Sequence, residues 1–549
     1  MIKSKRNFLR GSAVAIAAAL GVAGTAAAAV PAPYGVAVSY NASANSANVS
    51  FGADAPAAYG YGIERRPVGR TTWTQVKYLA EPNRAYLDTG LAPLSRYEYR
   101  VKAYRAGGPA EGYISTSTAT TGLDFPYAVG YGRGIVPSNY SQLQKNADAN
   151  SMYGYWRATY MTTAGAGSNG MRVYKPEENG ETVSEGMGYG MLISVYIANA
   201  GNTGKADFDK LLTYYKSKEK FNGTVGEGLM AWRIGSDGTV LDPWIAPDGD
   251  LDAAYALLVA DKKWGSGGAV NYKAEAVKIL NGLQAYVVYN RGTNPSNLIG
   301  GSDKPDLASP ENAATMTMSS YAMVGYMKQF KAVSDAARAA KWDDTLRASY
   351  KMFDYFYDKN PATALTPYTF LTQVGPNQYL KPTKGYNFGP DACRVPWRVG
   401  IDYLWHGNAN AAFVNQSIPG VSATLAHDMP VKQAAWLNVR LGGSSTTTGD
   451  PQQVMYSYEI DGTVTPGTFR WGQRNMIGSM AVGAMTDASN QAWLNRMYDW
   501  LRVQTPGQDY VNGGVTIKPG YFGDTVMMVT MLAVTGNMPN LPEVPVPAS

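Results

Sequence analysis

The pattern of hydrophobic residues changes once along this 549-residue chain, at about residue 122, and this change constrains the fold more than any other feature. Between about residues 31 and 121, hydrophobic and polar residues alternate in short runs such as 46–51 and 97–104. Alternation with a period of two predicts β-strands. From residue 123 onward, hydrophobic residues recur at a spacing of three to four, which predicts helices. Since the chain is too long for one ordinary core, we expect an all-β domain at 30–122 and an all-α domain at 123–549.

About a dozen helical segments are predicted in the second domain. They lie near residues 139–151, 184–199, 205–220, 248–264, 271–290, 311–331, 333–358, 391–407, 421–436, 474–487, 489–504 and 522–536. Twelve helices in one domain favour an α/α toroid, in which loops at one end of the helices form a cleft. Periodicity alone also fits an α-solenoid, but no fixed repeat of about 30–45 residues is present, which disfavours that alternative.

The N-terminus has the pattern of a processing segment. Four basic residues precede an apolar run at 13–24, and Ala26 to Ala28 form a small-residue cleavage site. This arrangement is typical of a signal peptide over residues 1–29. We therefore expect a secreted protein, extracellular or periplasmic. No later stretch reaches about 18 unbroken apolar residues, so no membrane-spanning helix is expected.

Composition excludes several classes of chemistry. The formal net charge is +6, but four positive charges and no acid lie in residues 1–29, so the remainder carries only +2 and does not favour nucleic acid. The single cysteine, Cys393, and the two histidines nearly exclude a zinc site, and no cofactor or metal is expected. A Tyr-rich, charge-poor chain suits neutral, flat-faced ligands such as sugars. Carboxylates and aromatic side chains are then the candidate working groups.

The first candidate segment is 183–191, VSEGMGYGM. Three glycines in the first turns of an apolar helix cost about 1 kcal/mol each relative to alanine, which indicates that another group approaches the backbone closely. Glu185 lies at the start of this helix. Taken alone, a glutamate there is also explained by the helix dipole.

The second segment, 246–258, places Asp248, Asp250 and Asp252 at the start of a helix that then becomes apolar. Capping and the helix dipole explain one or two of these acids. Asp248 and Asp252 are four residues apart and share a helical face, so they would repel each other if both were ionised. The spacing does not match a calcium-binding loop.

The third segment, 389–400, contains Asp391 and Arg394. On the first turn of a helix these two residues would share a face, so Arg394 can keep the carboxylate ionised and oriented, as a general base requires. An ordinary surface ion pair explains the same spacing.

Together, and in this order, the three segments resemble the signature of glycoside hydrolase family 8, formerly cellulase family D. The resemblance covers essentially all of 123–549 and includes 491–495 and the pair 536–537. It implies an (α/α)6 barrel that hydrolyses β-1,4 glycosidic bonds of a polysaccharide with inversion. The expected activity is that of an endoglucanase or cellulase, which cuts within glucan chains. Mixed-linkage glucan is a further expected substrate of such an enzyme.

The resemblance also implies roles for individual residues. Glu185 is expected to be the general acid and Asp391 the general base, which Arg394 orients. Asp248 is expected to contact the sugar at the cleavage subsite. The other expected substrate contacts are Arg394, Trp232, Tyr189, Asp250 and Tyr386. The chemistry agrees, because inverting hydrolysis needs one protonated and one ionised carboxyl about 6.5–9.5 Å apart.

Two departures from the family pattern affect the substrate prediction. Many members have an aromatic residue before the base, where this chain has Pro390, and Phe388 or Tyr386 is the expected substitute. One subfamily, which includes chitosanases, takes its base from a glutamate in an inserted loop. Here residues 360–390 contain no Asp or Glu, so Asp391 is the expected base. Chitosanase, xylanase, a polysaccharide lyase and a non-catalytic polysaccharide-binding protein are the alternatives.

The N-terminal domain resembles a fibronectin type III module, an immunoglobulin-like sandwich. The segment 91–101, LAPLSRYEYRV, is similar to the tyrosine-corner region of that family, and Phe51 stands where the family more often has Trp. Such modules are usually spacers, and a binding role is the alternative. The protein is expected to be a monomer.

Overall fold

The computed structural model describes residues 32–41, 46–53, 60–67, 70–89, 91, 96–104, 110–120, 124–199, 201–220, 228–288, 297–303, 316–372, 379–380, 385–408, 418, 420–470 and 473–543. The predicted signal peptide and residues 92–95 of the predicted tyrosine-corner region lie outside these residues.

Seven N-terminal strands form two antiparallel sheets with the orders β1-β2-β5 and β4-β3-β6-β7. Hydrophobic side chains from both sheets, among them Val49, Phe51, Ile63 and Val101, make a core separate from that of the helices. The alternating runs near 35–40, 46–51 and 97–104 are confirmed as strands. The strands are β1 Tyr34–Asn41, β2 Ser46–Gly52, β3 Gly60–Pro67, β4 Thr74–Ala80, β5 Ala85–Asp88, β6 Arg96–Tyr104 and β7 Ala110–Thr120.

Twelve α-helices are the main elements of the remaining described residues. They are α1 Gln142–Tyr160, α2 Ser184–Ile197, α3 Gly204–Ser217, α4 Pro247–Trp264, α5 Tyr272–Leu283, α6 Val324–Val333, α7 Ala336–Lys359, α8 Val395–His406, α9 Leu425–Arg440, α10 Gln473–Ala484, α11 Gln491–Leu501 and α12 Tyr521–Val534. Ten short strands lie between them: β8 Met161–Thr162, β9 Arg172–Val173, β10 Thr182–Val183, β11 Arg233–Ile234, β12 Val240–Asp242, β13 Met316–Met318, β14 Thr369–Thr372, β15 Tyr379–Leu380, β16 Tyr510–Asn512 and β17 Val515–Ile517.

The even-numbered helices form a closed ring. Each contacts the next, from α2 through α4, α6, α8 and α10 to α12, and α12 contacts α2 again. Each odd-numbered helix packs outside, α3 against α2, α5 against α4, α7 against α6, α9 against α8, α11 against α10 and α1 against α12. A closed double ring is an (α/α)6 barrel and excludes the solenoid. The inner helices are buried over nearly their whole length because other helices surround them.

The glycines of α2 allow it to pack directly on α4. A Cβ atom on Gly188 would lie 2.4 Å from the carbonyl oxygen of Gly249. A Cβ atom on Gly249 would lie 2.3 Å from the carbonyl carbon of Ser184. Real Cβ atoms do not approach this closely, so both positions require glycine. The predicted close approach to the 183–191 segment is thus confirmed, and the group that approaches is the backbone of another helix.

Two helix predictions need correction. The segment near 311–331 is α-helical only from Val324, because Met316–Met318 pairs instead with Thr369–Thr372 as antiparallel strands and Ser319–Tyr321 forms a short 3-10 helix. The first part of that segment, 311–315, lies outside the described residues. The segment near 271–290 ends as an α-helix at Leu283 and continues as a short π-helix, Gln284–Val288. Strand pairing between distant segments is invisible to helical periodicity, which explains the first error.

None of the helices in the described part of the chain is both long enough and apolar enough to span a bilayer.

Candidate active site

A single guanidinium brings the three predicted carboxylates together. Arg394 Nη1 donates to Glu185 Oε2 at 2.9 Å and to Asp248 Oδ2 at 2.8 Å, and Nη2 donates to Asp391 Oδ1 at 2.9 Å. Glu185 in α2 lies 209 positions before Arg394 along the chain, and Asp248 in α4 lies 146 positions before it. Asp391 lies in the turn before α8. The contact between Arg394 and Asp391 that the sequence predicts is present, but the same arginine also binds the other two acids.

All of these groups lie at the N-terminal ends of inner helices. Glu185 and Asp248 are the second residues of α2 and α4, and Arg394 directly precedes α8. The positive end of each helix dipole is directed at the site, which favours negative charge there. The barrel therefore gathers acidic residues at one end of its inner ring.

Burial determines the protonation state of Glu185. Its side chain is 13% exposed, and the Arg394 side chain is 1% exposed. Burial is the largest effect and raises the pKa of Glu185 to about 8, with the negative charges of Asp248 and Asp391 adding to the increase and Arg394 opposing it. One guanidinium cannot neutralise three ionised carboxylates, so the site retains a proton, and Glu185 carries it at neutral pH.

Asp391 is the most solvent-accessible of the three acids. Its side chain is 32% exposed, compared with 4% for Asp248. Burial also raises the pKa of Asp391, while Arg394 acts in the opposite direction. Glu185 and Asp248 also border the cleft and bond to Arg394, so greater exposure is what distinguishes Asp391 and leaves room for a water molecule beside it.

The acids are close enough to act on one bond. Glu185 and Asp391 bind the two terminal nitrogens of one planar group, so their bonded oxygens lie within about 8 Å of each other. Each carboxylate is fixed by a charge-assisted hydrogen bond, which is stronger and more directional than a neutral one. The pair is held in position before any ligand arrives.

The carboxylates face a cleft of about 650 Å³. Aromatic side chains line much of its wall, which suits the flat, apolar faces of sugar rings. They are Trp232, Trp244, Tyr321, Tyr368, Tyr456, Tyr521 and Phe522. A cleft of this size, lined by aromatic residues and with two differently protonated carboxyls at its base, has the components of a glycosidase.

Comparison with known proteins decides the family. The model of glycosyl hydrolases family 8 matches residues 134–422, which is more than half of the chain. The chain belongs to family 8 of the glycosyl hydrolases. It is therefore a glycoside hydrolase, and the predicted family resemblance is confirmed over residues 134–422.

Relatives match over most of this family 8 domain. A "Beta-glucanase" of Niallia circulans is 28% identical over 433 residues, which cover 77% of this chain and 93% of the relative. "Endoglucanase C" of Ruminiclostridium cellulolyticum is 28% identical over 440 residues, which cover 78% and 80%. The solved structure of a beta-1,3-1,4-glucanase from Paenibacillus sp. X4 is 27% identical, with a TM-score of 0.62 and coverage of 76% of this chain and 98% of that one. A reducing-end-xylose releasing exo-oligoxylanase has the same fold, at 20% identity and a TM-score of 0.55.

Trp232 lies at the cleft of this hydrolase, and its contact with the substrate stays a prediction. It borders the cleft with 39% of its surface exposed. Its backbone is hydrogen-bonded on both sides. Ser184 N, next to Glu185, donates to Trp232 O, and Trp232 N donates to the carbonyl oxygen of Trp244 in the cleft wall. The indole ring is therefore available to a sugar beside Glu185.

Four of the predicted substrate contacts do not line the cleft: Tyr189, Asp250, Tyr386 and also Arg394, whose side chain is 1% exposed and binds the three acids instead. Tyr189 is fully buried and accepts a 2.9 Å hydrogen bond from Arg394, so it supports the arginine from behind. Asp250 is also fully buried and accepts hydrogen bonds from Tyr215 Oη and Met230 N. Neither reaches the cleft. Their positions on the helices explain this. Tyr189 lies four residues after Glu185, on the same face of α2 but one turn deeper in the barrel, whereas Asp250 lies two residues after Asp248, about 200° around α4.

Tyr386 does not replace the aromatic residue missing at Pro390. It is half-buried outside the cleft lining, and Phe388 is fully buried against Trp436. The aromatic side chain that lines the cleft near Asp391 is Tyr456, which stacks on Phe469 with ring centroids 4.9 Å apart. Sequence position did not indicate Tyr456, because the loop that carries it reaches the cleft only in the folded barrel.

Sequence reasoning also missed other cleft residues for which the chain does contain a signal. Tyr521 and Phe522 begin the last predicted helix, and inner helices begin at the site. Trp244 lies four residues before Asp248. Once Glu185 and Asp248 are placed at helix starts, the first residues of the other inner helices become the positions to inspect.

Among the residues that the structure describes, no group of three or more His, Cys, Asp or Glu is arranged to bind a metal ion. Cys393 is fully buried, and its Sγ donates to Pro390 O at 2.8 Å. It packs beneath the turn that carries Asp391, in agreement with a packing role.

Proposed function

We propose that this hydrolase cuts β-1,4 bonds within glucan chains and inverts the anomeric configuration. Glu185 is the general acid and Asp391 the general base. The observation that carries the proposal is the bridge from Arg394 to both carboxyls, combined with their unequal environments. One acid is buried and protonated, and the other borders the cleft.

The reaction follows from these two protonation states. Glu185 gives its proton to the glycosidic oxygen as the bond to the anomeric carbon breaks. Asp391 accepts a proton from a water molecule that attacks the opposite face of the sugar. Arg394 stays charged throughout, so it stabilises the negative charge that Glu185 acquires when its proton leaves.

Asp248 completes the site without transferring a proton. Its Oδ1 accepts from Gly249 N at 2.9 Å and its Oδ2 accepts from Arg394 at 2.8 Å. We propose that it contacts the sugar at the cleavage subsite and helps to distort the ring. Its negative charge beside Glu185 also raises the pKa of the acid.

Glucan as the substrate is supported by the relatives. The curated proteins that match over about three quarters of the chain are a beta-glucanase and endoglucanases. The curated exo-oligoxylanases match in sequence over only 41% of it, although a solved exo-oligoxylanase structure shares the fold over 73%. Exposed aromatic faces such as Trp232 suit a chain of glucose rings, whose axial C–H groups form flat apolar faces.

A polymer of glucosamine is the second candidate, and the charge of the cleft wall favours it. Beyond the three central acids, the wall carries Glu177, Glu178 and Asp242. Lys175 is the one basic residue that lines this cleft among the described residues, and it pairs with Glu178 at 2.5 Å. An acidic wall of this kind attracts the ammonium groups of chitosan.

For the N-terminal region, we propose a fibronectin type III-like module on an exported protein. The strand orders β1-β2-β5 and β4-β3-β6-β7 and the shared hydrophobic core support a sandwich of this kind. The basic, apolar and small-residue pattern of 1–29 supports export.

The experiment is digestion of carboxymethyl cellulose, lichenan, xylan and chitosan, followed by measurement of reducing ends and viscosity. The proposal predicts new reducing ends with a rapid loss of viscosity on glucan, and no activity for folded Glu185→Gln or Asp391→Asn. Digestion of chitosan alone would support the second candidate. Full activity of Asp391→Asn would exclude Asp391 as the base, and absence of any cleavage would support a binding protein.

A further inference from the structure

Tyr521, the first residue of α12, contacts the proposed acid. Its phenolic Oη donates a 3.0 Å hydrogen bond to Glu185 Oε1. The other carboxyl oxygen, Oε2, accepts from Arg394 Nη1 at 2.9 Å. Tyr521 borders the cleft and is 2% exposed, so its hydroxyl meets Glu185 in a nearly water-free position.

Arg394 and Tyr521, the two hydrogen-bond partners of Glu185, differ in whether they can accept a hydrogen bond. A guanidinium has donors only, so Oε2 cannot direct a proton toward Arg394. The acid proton therefore resides on Oε1, the oxygen next to Tyr521. A phenol both donates and accepts, so Tyr521 can bond to Glu185 in its protonated and in its ionised form.

We propose that Tyr521 is a positioning residue that holds the transferable proton of Glu185 on Oε1 and directs it toward the glycosidic oxygen. In the step, the Oε1–H bond breaks and the proton bonds to the glycosidic oxygen. That oxygen keeps the electron pair of the broken bond to the anomeric carbon. The Tyr521 hydroxyl then donates to the carboxylate that remains. This inference rests on the proposed function, in which Glu185 is the acid.

Three neighbours fix the phenol in place. A Cβ atom on Gly186 would lie 2.9 Å from Tyr521 Oη and 3.2 Å from its ring, so the glycine after Glu185 makes room for the hydroxyl. The backbone N–H of Tyr521 donates to Glu177 Oε1 at 2.6 Å. Tyr160 packs edge-on against the ring, with centroids 6.4 Å apart. A side chain constrained by three separate elements is suited to orient a proton.

Protonation of the two groups is compatible with this role. Burial, with the charge of Glu185 as the next cause, raises the pKa of Tyr521, so the phenol stays neutral. The hydrogen bond from Tyr521 lowers the pKa of Glu185 and partly offsets the effect of burial. Loss of the hydroxyl should therefore raise the pKa of the acid.

The test is Tyr521→Phe, with kcat and kcat/KM measured from pH 4 to pH 10 on a cello-oligosaccharide and on its 2,4-dinitrophenyl glycoside. We expect kcat on the oligosaccharide to fall by about tenfold to a hundredfold, since general acid catalysis contributes about 10² to 10⁴. The loss on the dinitrophenyl glycoside should be much smaller, because that leaving group needs no proton. The alkaline limb of kcat/KM should move to higher pH.

Tyr368→Phe is the matched control, because Tyr368 borders the same cleft but is not bonded to Glu185. It should leave the alkaline limb in place. Gly186→Ala, which displaces the Tyr521 hydroxyl without removing it, should shift the limb as Tyr521→Phe does.

An unchanged alkaline limb and an equal loss on both substrates for Tyr521→Phe would overturn the inference. Glu185→Gln separates this failure from failure of the proposed function. If Glu185→Gln is inactive while Tyr521→Phe behaves like the wild type, only the role of Tyr521 is wrong. If Glu185→Gln keeps full activity on the oligosaccharide, whose leaving group needs a proton, Glu185 is not the acid and both proposals fail.

Discussion

Arg398 and Asp252 form a fully buried ion pair through two hydrogen bonds of 2.8 and 2.7 Å. Each residue lies four positions after a member of the site, Arg398 after Arg394 and Asp252 after Asp248. The pair thus repeats the contact between α4 and α8 one helical turn deeper in the barrel. It also gives Asp252 its own counter-ion, which limits the repulsion between Asp248 and Asp252 that their spacing suggests.

Removal of one partner should destabilise the barrel strongly. Arg398→Met leaves the Asp252 carboxylate buried without its cation, which costs about 3–5 kcal/mol. The double variant Arg398→Met/Asp252→Leu should recover most of this loss, because no buried charge remains. Thermal unfolding at pH 7 measures both. A double variant as unstable as the single variant would show that packing, rather than charge, causes the loss.

The contact between α2 and α4 should tolerate no side chain at Gly249. Gly249→Ala places a methyl group 2.3 Å from the backbone of Ser184, so the helices must separate, and we expect a loss of about 2 kcal/mol or more together with reduced activity. Gly154→Ala in α1 is the matched control, since a Cβ atom there meets nothing within 4 Å. That change should stabilise the protein by about 0.5–1 kcal/mol through helix propensity. Equal effects of the two substitutions on the melting temperature would contradict the close approach.

Activity should follow a bell-shaped pH profile whose alkaline limb lies at an unusually high pH. The reaction needs Glu185 protonated and Asp391 ionised. Because the pKa of Glu185 is raised to about 8, kcat/KM should fall tenfold per pH unit only above about pH 8. The raised pKa of Asp391 moves the acid limb above the usual range for aspartate. The two groups share Arg394, so the pKa values read from the two limbs belong to the coupled pair and not to either residue alone. A decline that begins near pH 5 would contradict a protonated Glu185.

Asp250 should affect stability rather than substrate binding. Burial raises the pKa of its carboxyl to about 8, above the value of an exposed aspartate, so the folded protein binds an extra proton between those two pH values. The stability that this proton provides is complete below the unfolded pKa and is lost as pH rises through about 8. Asp250→Asn should therefore keep the KM for glucan and flatten the loss of melting temperature between about pH 4 and pH 8. A large rise in KM with an unchanged melting curve would restore the predicted substrate contact.

The sequence predicted the inner barrel well because local and long-range signals agree there. Ten of the twelve helical segments lie close to the observed helices, and the glycines around Glu185 correctly indicated a close backbone approach. Glu185, Asp248 and Asp391 were identified because each combines a helix start with an acid in a recognisable motif. Their common bond to Arg394 was not predictable for Glu185 and Asp248, since spacing along the chain indicated only the pair of Asp391 and Arg394.

The predictions failed where packing between distant segments decides the structure. Met316–Met318 has helical periodicity but pairs as a strand with Thr369–Thr372. Tyr189 and Asp250 lie in the same motifs as the acids, yet Tyr189 is one helical turn deeper in the barrel and Asp250 is on the other side of its helix. Tyr456 reaches the site from the last third of the chain, through a loop position that no local pattern distinguishes.

The most direct test of the two-carboxylate account is the configuration of the first product. Proton NMR of a cello-oligosaccharide digest, recorded within the first minutes, resolves the anomers before mutarotation mixes them. Direct attack by water that Asp391 activates predicts the α anomer at the new reducing end. Initial release of the β anomer would mean that a carboxylate forms a covalent intermediate, and it would contradict Asp391 as the base of an inverting hydrolase.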